Sequence, residues 1–378
     1  MNDKDNIIVK NERIVLCRPC GGTNDILVQI EKCYRYCRKY KRKLVVDGSA
    51  SGFLDDLAKY FIPRDNIIFF GKIDFLTPPF DVFPKFLQND LYYNEEYFNH
   101  NTSKCVTTKD GIPVTFDFKK DYKEQILVHL QYGGGKTGII ALARLDLKED
   151  IKIHIKKIIE DLKNQAGYKG KYDAVHIRNT GYKTDYKSYF NDLRNKLNKT
   201  TFLCTDDYEC QQYAKMFFGE KLKPVSDIPD LSSCPVKSLV KNKHIDRYKT
   251  NIDALTDLFI LACADKIYYA LISSGEIKPQ REFEEEPDRI YFRNGMKSGF
   301  LVLAENLHDN KRIINNTLYK NKVSLLSYHL ALYQIPLRFA LDIILRIFRK
   351  LYSLLHNRGI PYTVRYIFCR LSKKELPN

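Results

Sequence analysis

Short apolar strands alternate with amphipathic helices along this chain, and this alternation restricts the fold more than any other feature of the sequence. An apolar strand at residues 13–17 is followed by a glycine pair, a helix at residues 26–40 and a β-branched strand at residues 43–47. Two strands joined through a helix run parallel in the same sheet. The opening of the chain therefore predicts a βαβ unit.

Two later segments repeat this arrangement. A strand at residues 174–177 precedes a helix at residues 185–196 and a strand at residues 201–204. A helix at residues 253–265 then leads into a short apolar strand at residues 266–272. Repeated units of this type predict an α/β fold in which parallel sheets carry helices on both faces.

Changes in composition indicate where domains end. The 378-residue chain is long enough for two domains of ordinary size. A glycine-bearing stretch at residues 166–170 separates the first βαβ unit and the segments after it from the later units. We predict an N-terminal domain at residues 1–165, a C-terminal domain at residues 171–320 and a basic amphipathic tail at residues 321–378.

The charge balance predicts a negatively charged partner. The chain has 62 basic and 46 acidic residues and a net charge of +16, which suits nucleic acid, an anionic membrane or a phosphorylated substrate. Nucleic acid is the least favoured of the three, because the sequence has no zinc finger, basic helix-turn-helix or aromatic RNA-binding signature.

The cysteines and the apolar segments bear on the cellular compartment. Ten cysteines are spread along a chain that is too large to need disulfides, which indicates a reducing cytosol. Residues 1–11 are polar and lack the apolar core of a signal peptide. No run of 18 uncharged apolar residues occurs in the sequence, so we expect no transmembrane helix.

A charged triplet, His176-Ile177-Arg178, ends the strand that opens the second unit. Ligands of open α/β sheets bind at the carboxyl ends of strands. An arginine at that edge can bind phosphate through its planar guanidinium, and the following helix adds backbone donors. The triplet is equally compatible with an ordinary polar strand end, so other segments have to decide between these interpretations.

Four segments in a common order resemble motifs of bacterial and nodulation-type fucosyltransferases, which use GDP-fucose. They span roughly residues 13–280 and comprise the glycine loop Gly21-Gly22-Thr23-Asn24, the His-x-Arg triplet, the strand with its acidic end at residues 202–207, and the closing segments at residues 256–258, 263–265 and 273–275. The resemblance implies a GT-B architecture, in which two Rossmann-like domains face one cleft. It also implies that the C-terminal domain holds most of the sugar nucleotide.

The resemblance also implies roles for individual residues. Arg178 would bind the pyrophosphate with support from His176, and Asp185 is the nearest candidate for the acceptor base. The alternative for Asp185 is an exposed helix N-cap. The other residues implied to bind the sugar nucleotide are Gly21, Gly22, Asn24, Thr205, Asp206, Asp207, Ser273 and Ser274.

The resemblance implies a reaction that needs no metal or other cofactor. Charge developing on the β-phosphate of departing GDP would be stabilised by Arg178 and backbone donors. The pair Asp206-Asp207 also suits a Mg²⁺ ion beside a nucleotide, but neighbouring strand residues point in opposite directions, so only one would face the ligand. Many family members have a second arginine at the place of Asn179 and an aspartate at that of Gly181, and these departures leave another GDP-sugar open as donor.

The glycine run Gly133-Gly134-Gly135-Lys136-Thr137 offers an alternative function. It resembles the phosphate-binding P-loop of an NTPase or kinase, but Leu130 stands where that pattern requires its first glycine. A glycine-rich turn is therefore the favoured interpretation.

A group of cysteines near the N-terminus offers a metal or redox interpretation. Cys17, Cys20, Cys33 and Cys37 have a spacing that zinc sites and redox pairs also show. We expect them instead to be small buried side chains, because free cysteine is commonly buried.

Basic and apolar residues interleave in the predicted tail. From residue 324 onward it has nine Lys or Arg and only two acidic residues. A basic amphipathic helix of this type lies in the headgroup region of anionic membranes, where each cation contributes about 1 kcal/mol. The alternative is a helix that packs across the N-terminal domain. We favour the membrane, since so many basic residues are unusual for a core helix.

Together with the resemblance, these features predict an inverting, hexosyl-type glycosyltransferase. It would move fucose from GDP-fucose to a hydroxyl of a bacterial surface glycan such as O-antigen polysaccharide, or to a lipid-linked oligosaccharide. We expect a cytoplasmic protein, peripheral on the inner face of the cell membrane, with no nucleic-acid partner. The alternatives are a transferase for another GDP-sugar and a P-loop NTPase or kinase that uses residues 133–137.

Overall fold

The structure is a computed structural model. It describes residues 12–49, 51–64, 67–69, 81–91, 98–101, 106–108, 111–167, 170–179, 184–197, 199–226, 228, 246–272 and 297–319, together with residues 341, 344, 345, 348 and 352. The chain forms two compact units, Met1–Asn321 and Lys322–Asn378. Ser273, Ser274 and Gly181, which the sequence analysis singles out, lie outside the described residues.

The strands of the described residues are short, and all of them belong to the first unit. They are β1 (Ile14–Cys17), β2 (Lys43–Val46), β3 (Phe61–Pro63), β4 (Ile67–Phe69), β5 (Val82–Phe83), β6 (Phe98–Asn101), β7 (Val106–Thr108), β8 (Pro113–Val114), β9 (Ile126–His129), β10 (Leu145–Leu147), β11 (Asp173–Ile177), β12 (Thr201–Thr205), β13 (Leu222–Pro224) and β14 (Ile267–Tyr269).

Helices follow most of the parallel strands. The described α-helices of the first unit are α1 (Thr23–Tyr40), α2 (Gly138–Arg144), α3 (Glu149–Gln165), α4 (Tyr186–Leu193), α5 (Tyr208–Phe218), α6 (Arg247–Cys263), α7 (Gly299–His308) and α8 (Lys311–Ile314). In the part of the chain that the structure describes, no helix combines the length and apolar character needed to span a bilayer.

A five-stranded parallel sheet forms from the N-terminal part of the chain, with the order β4-β2-β1-β9-β5. Its central strands β1 and β9 are fully buried, as expected for apolar strands covered on both faces. Cys17 at the end of β1 pairs with Val46 on one side and His129 on the other. The carboxyl ends of these strands therefore meet at one edge of the sheet.

A second parallel sheet has the order β13-β12-β11-β14. His176 on the buried strand β11 lies between Cys204 and Tyr269 on the neighbouring strands. The core of this sheet packs against helices α4 and α5 through Phe190, Ala214 and Phe218. Smaller antiparallel sheets join β3 to β10 and β6 to β7 and β8.

The α/β fold with parallel sheets that the alternation predicts is confirmed. The predicted start of α6 at residue 253 is wrong, because the helix begins at Arg247. Asp246 caps it by accepting a hydrogen bond from the Lys249 N–H at 3.2 Å. The strand predicted at residues 266–272 is limited to Ile267–Tyr269. The division into domains at residues 1–165 and 171–320 stays a prediction.

Candidate functional site

An ion pair marks the carboxyl edge of the second sheet. Arg178 follows β11 and Asp206 follows β12, which are parallel neighbours. The Arg178 Nη1 lies 2.5 Å from the Asp206 Oδ2, and 39% of the arginine side chain is exposed. The guanidinium is thus held by a carboxylate while part of it still faces solvent. An arginine in this position can exchange solvent for an anionic ligand.

Asn179 connects the loop after β11 to both acidic residues at the end of β12. Its N–H donates to the Asp206 Oδ1 at 2.9 Å, and its Nδ2 donates to the Asp207 Oδ2 at 2.9 Å. Its own Oδ1 accepts from the Thr184 N–H at 3.0 Å. Asn179 therefore positions the loop that carries Arg178.

Asp207 begins helix α5 and is almost fully buried. Its Oδ1 accepts from the Cys210 N–H at 2.7 Å as an N-cap, and its N–H donates to the Thr205 Oγ1 at 3.3 Å. Asp206 and Asp207 thus both accept hydrogen bonds from protein donors. A Mg²⁺ ion at this pair, the alternative to a metal-free site, would have to compete with those donors.

His176 lies beneath the N-terminus of α7. Its Nε2 is 2.9 Å from the Oγ of Ser298, the N-cap of that helix, and its ring stacks on Phe300 at 5.5 Å. Burial lowers the pKa of His176 to about 4, Asp206 opposes the shift and Arg178 adds to it. The imidazole is therefore neutral at physiological pH, and it connects β11 to the start of α7.

The predicted glycine loop lies at the carboxyl edge of the first sheet and is closely packed. Gly21 has a φ of 92°, and a Cβ there would lie 2.8 Å from the Tyr132 ring. The Gly21 carbonyl accepts from the Gly52 N–H at 2.9 Å, and a Cβ at Gly52 would lie 2.4 Å from that oxygen. Both positions require glycine, because any larger side chain would displace the loop.

Asp25, which the sequence analysis does not single out, is the carboxylate of this loop. Its Oδ2 accepts from the Gly22 N–H at 3.2 Å and from the Tyr132 hydroxyl at 3.0 Å. Burial raises the pKa of Asp25, while Tyr132, Gly22 and the charge of Arg178 lower it. Arg178 is thus near enough for its charge to act on Asp25. The signal in the sequence was an acidic residue in the first turn of α1, which resembles an ordinary helix cap.

Asn24 forms its hydrogen bond with the glycine run that follows β9. Its Nδ2 donates to the Gly135 carbonyl at 2.8 Å, and its Oδ1 is buried without a hydrogen-bond partner among the described residues. A Cβ at Gly138 would lie 2.5 Å from that oxygen. In the structure the Asn24 amide supports the glycine run at residues 133–137 where that run enters α2. Its predicted contact with a nucleotide stays a prediction.

The glycine run itself has a packing role. A Cβ at Gly133 would lie 3.2 Å from the Lys32 Nζ, and a Cβ at Gly134 would lie 2.9 Å from the Asp25 Oδ1. The turn lies so close to α1 that larger side chains at Gly133 and Gly134 would crowd that helix, which explains the two glycines. They support a glycine-rich turn rather than a P-loop.

Asp185 caps helix α4. Its Oδ1 accepts from the Ser188 N–H at 3.2 Å, and hydrogen bonds to Ser188 lower the pKa of Asp185. Its carboxylate is exposed and already engaged with the backbone. The structure therefore places Asp185 in the N-cap arrangement, and its role as acceptor base stays a prediction.

Three residues that can bind a metal come together between β1, β9 and α1. The ligand atoms of Cys17, Cys33 and His129 lie within 4.8 Å of one another, and all three side chains are buried. Burial raises the pKa of Cys33 well above that of an ordinary thiol, which keeps it protonated. The predicted burial of Cys17, Cys20, Cys33 and Cys37 is confirmed, and the cysteines that the structure describes form no disulfide with one another.

The fold of this chain is similar to that of a known sugar transferase. The crystal structure of NodZ alpha-1,6-fucosyltransferase co-crystallized with GDP superposes with a TM-score of 0.50 at 16% identity, covering 78% of this chain and 92% of that chain. The fucosyltransferase NodZ from Bradyrhizobium has a TM-score of 0.49 at 16% identity, with coverages of 78% and 93%. No family model matches the sequence, and a search of curated proteins finds no match. At this identity the similarity establishes the fold.

Proposed function

We propose that this chain is a glycosyltransferase that takes its sugar from a GDP-sugar, with fucose as the first choice. The observation that carries the proposal is the half-exposed Arg178, held by Asp206 at the carboxyl edge of a parallel sheet and near enough to the partly buried Asp25 for their charges to interact. The fold similarity to a fucosyltransferase crystallized with GDP supports it. A GT-B arrangement of the residue 1–165 and 171–320 domains belongs to the same proposal.

In this reaction Arg178 stabilises the leaving group. Departure of GDP places negative charge on the β-phosphate, and a positioned guanidinium binds that charge more strongly in the transition state than in the ground state. Asp206 and Asn179 hold the arginine loop, so little reorganisation is needed when the charge develops. We propose that no metal ion is required, and we expect transfer to continue in excess EDTA.

Asp25, rather than Asp185, is the proposed acceptor base. Its Oδ2 already accepts two hydrogen bonds, whereas its Oδ1 has no hydrogen bond from the described residues. Its raised pKa makes it a better proton acceptor than an ordinary carboxylate. It would take the proton of the acceptor hydroxyl as that oxygen attacks the sugar from the face opposite GDP, which inverts the anomeric centre.

We also propose that the tail anchors the enzyme to an anionic membrane. Leu341, Ile344, Leu345, Phe348 and Tyr352 are helical and between 46% and 69% exposed. Their spacing places them on one face of a helix, and basic residues alternate with them in the sequence. This supports a cytoplasmic enzyme, peripheral on the inner face of the membrane, whose acceptor is a bacterial surface glycan or lipid-linked oligosaccharide.

Calorimetry with GDP, UDP, CMP and ATP tests the function. We expect GDP to bind most tightly and Arg178→Ala to weaken it at least about tenfold, since a charge-assisted hydrogen bond contributes about 1.5 to 3 kcal/mol. Arg194→Ala, which removes an exposed cation just after α4, is the matched control and should leave GDP affinity unchanged. Equal GDP affinity in folded Arg178→Ala would refute the assignment, and a preference for ATP would favour the P-loop alternative.

A further inference from the structure

A pocket of about 340 Å³ opens beside the proposed base, between α1, the segment after β9 and the segment after β8. Its volume is at the lower end of the range of about 300 to 1,000 Å³ that is usual for ligand sites, so it suits one small unit better than a long chain. Tyr132 lines this pocket and also donates its hydroxyl to the Asp25 Oδ2 at 3.0 Å. Tyr132 therefore separates the pocket from Asp25.

The walls combine aromatic rings with an amide. Phe116, Phe118 and Tyr132 contribute rings, which can pack against the apolar face of a pyranose. Gln131 is nearly buried, and its Oε1 accepts from the Phe116 N–H at 2.7 Å, which fixes the side chain. Its Nε2 has no acceptor among the described residues and remains available to a ligand hydroxyl or carboxylate.

The pocket also contains a cation, Lys32. Lys32 is half-buried, its Nζ lies beside Gly133, and it has no acidic partner among the residues that the structure describes. An ammonium group at a partly dehydrated site strongly favours an anionic partner.

His129 adds a buried imidazole to the same wall. Its Nδ1 has no hydrogen-bond partner among the described residues. The ring packs against Phe116 and Phe118, with centroid distances of 5.4 and 5.3 Å, and so fixes the aromatic part of the wall.

We infer that this pocket is the acceptor subsite and that it binds an acidic sugar unit, a pyranose carrying a carboxylate or a phosphate. The inference rests on the proposed function for the position of the acceptor hydroxyl near Asp25. Lys32 binds the anionic oxygens, Gln131 donates to the ligand, and the aromatic rings pack against the sugar ring. A neutral sugar of the same shape would leave Lys32 unpaired.

The test measures binding of three small sugars to the full chain saturated with GDP. The probes are methyl glucuronide, glucose 6-phosphate and neutral methyl glucoside. We expect at least one acidic probe to bind about tenfold tighter than methyl glucoside, and this preference to decrease as salt is added. The two acidic probes distinguish a site for a carboxylate from a site for a phosphate.

Variants of α1 connect the preference to the pocket. Lys32→Met and the milder Lys32→Gln should reduce binding of the acidic probe to that of the neutral sugar. Lys39→Met, which removes an exposed cation from the same helix, should leave it unchanged. Equal affinity for acidic and neutral probes, or a preference that survives both Lys32 variants, would overturn the inference.

GDP titration of the same samples separates the two proposals. If GDP binds while the acidic preference is missing, the pocket assignment fails and the proposed function stands. If the acidic sugar binds through Lys32 and GDP does not bind, the donor assignment fails and the pocket remains an anion-selective sugar site. Retained GDP affinity in the Lys32 variants also shows that they are folded.

Discussion

Asp25 and Asp185 are competing candidates for the acceptor base, and they differ in their surroundings. Asp25 is partly buried and feels the charge of Arg178, whereas Asp185 is exposed and caps a helix. We expect Asp25→Asn to reduce kcat by about 10²- to 10⁴-fold, the usual contribution of a positioned base. GDP affinity should not fall, because the carboxylate does not bind the nucleotide in this proposal. Asp185→Asn is the matched control, and loss of activity there with an active Asp25→Asn would reverse the two roles.

His176 gives stability a pH dependence whose sign follows from its burial. Its pKa in the folded state is about 4, below the ordinary value of 6.5, so protons bind the unfolded chain first as the pH falls. As the pH falls from 6.5 to 4, the contribution of this group should lower the free energy of unfolding by up to about 3 kcal/mol.

The measurement is urea unfolding of the natural protein and of His176→Gln over this pH range. The difference in stability between the two proteins isolates the effect of His176. Other groups act in the opposite direction; burial raises the pKa of Asp257, for example, to about 7. We expect the variant to be less stable at pH 7 and the difference to shrink toward pH 4. A constant difference would show that the pKa of His176 is the same in the folded and the unfolded chain.

A site residue can be predicted from the sequence when it belongs to a local pattern such as the end of an apolar strand. Arg178 was predictable because an apolar strand ends just before it. Asp25 was not, since its hydroxyl partner Tyr132 is more than a hundred positions away. The contact between His176 and Ser298 is equally remote in sequence and depends on how α7 packs on β11. Residue types at strand ends are thus predictable, whereas their partners follow from tertiary packing.

At the scale of elements, two aspartate N-caps allow a controlled comparison. Asp207 caps α5 and also accepts from the Asn179 Nδ2, whereas Asp246 caps α6 from an exposed position. Asp246→Ala should cost about 1 kcal/mol in the free energy of unfolding. Asp207→Ala should cost about 2 to 3 kcal/mol, because it also leaves the Asn179 amide without its acceptor.

GDP binding distinguishes the two caps by function. Asp207→Ala loosens the loop that positions Arg178, so GDP affinity should fall together with stability. Asp246→Ala should leave GDP affinity unchanged. If both variants bind GDP as the natural protein does, the loop is held without Asp207.

The elements that were predictable are those with a strong period or a continuous apolar run. β1, β9 and β11 are buried on both faces and are mostly apolar, and α3 has one buried stripe. The strands between residues 60 and 115 are two to four residues long, which is too short for a periodic signal. Their pairing depends on contacts with distant segments such as β10 and β9.

At the scale of the whole molecule, the tail is the feature on which the proposed membrane association depends. The Met1–Asn321 unit has its own internal contacts and both parallel sheets, so we expect a protein cut after Asn321 to stay folded and to bind GDP. That protein should remain in solution when mixed with phosphatidylglycerol vesicles. The full chain should bind those vesicles, and less so in high salt, because exposed charges are screened over about 8 Å at physiological ionic strength.

A point variant tests the exposed apolar stripe of the tail directly. Phe348→Glu places a charge in the middle of the stripe and should abolish vesicle binding, since an exposed apolar ring that would insert into the membrane is replaced by a group that anionic lipid repels. Met216→Glu, at an exposed apolar position on α5, is the matched control and should bind vesicles almost as the natural chain does. If the full chain does not bind vesicles and the protein cut after Asn321 aggregates, the tail is part of the folded core. The membrane proposal would then be withdrawn, and an acceptor linked to lipid would lose its main support.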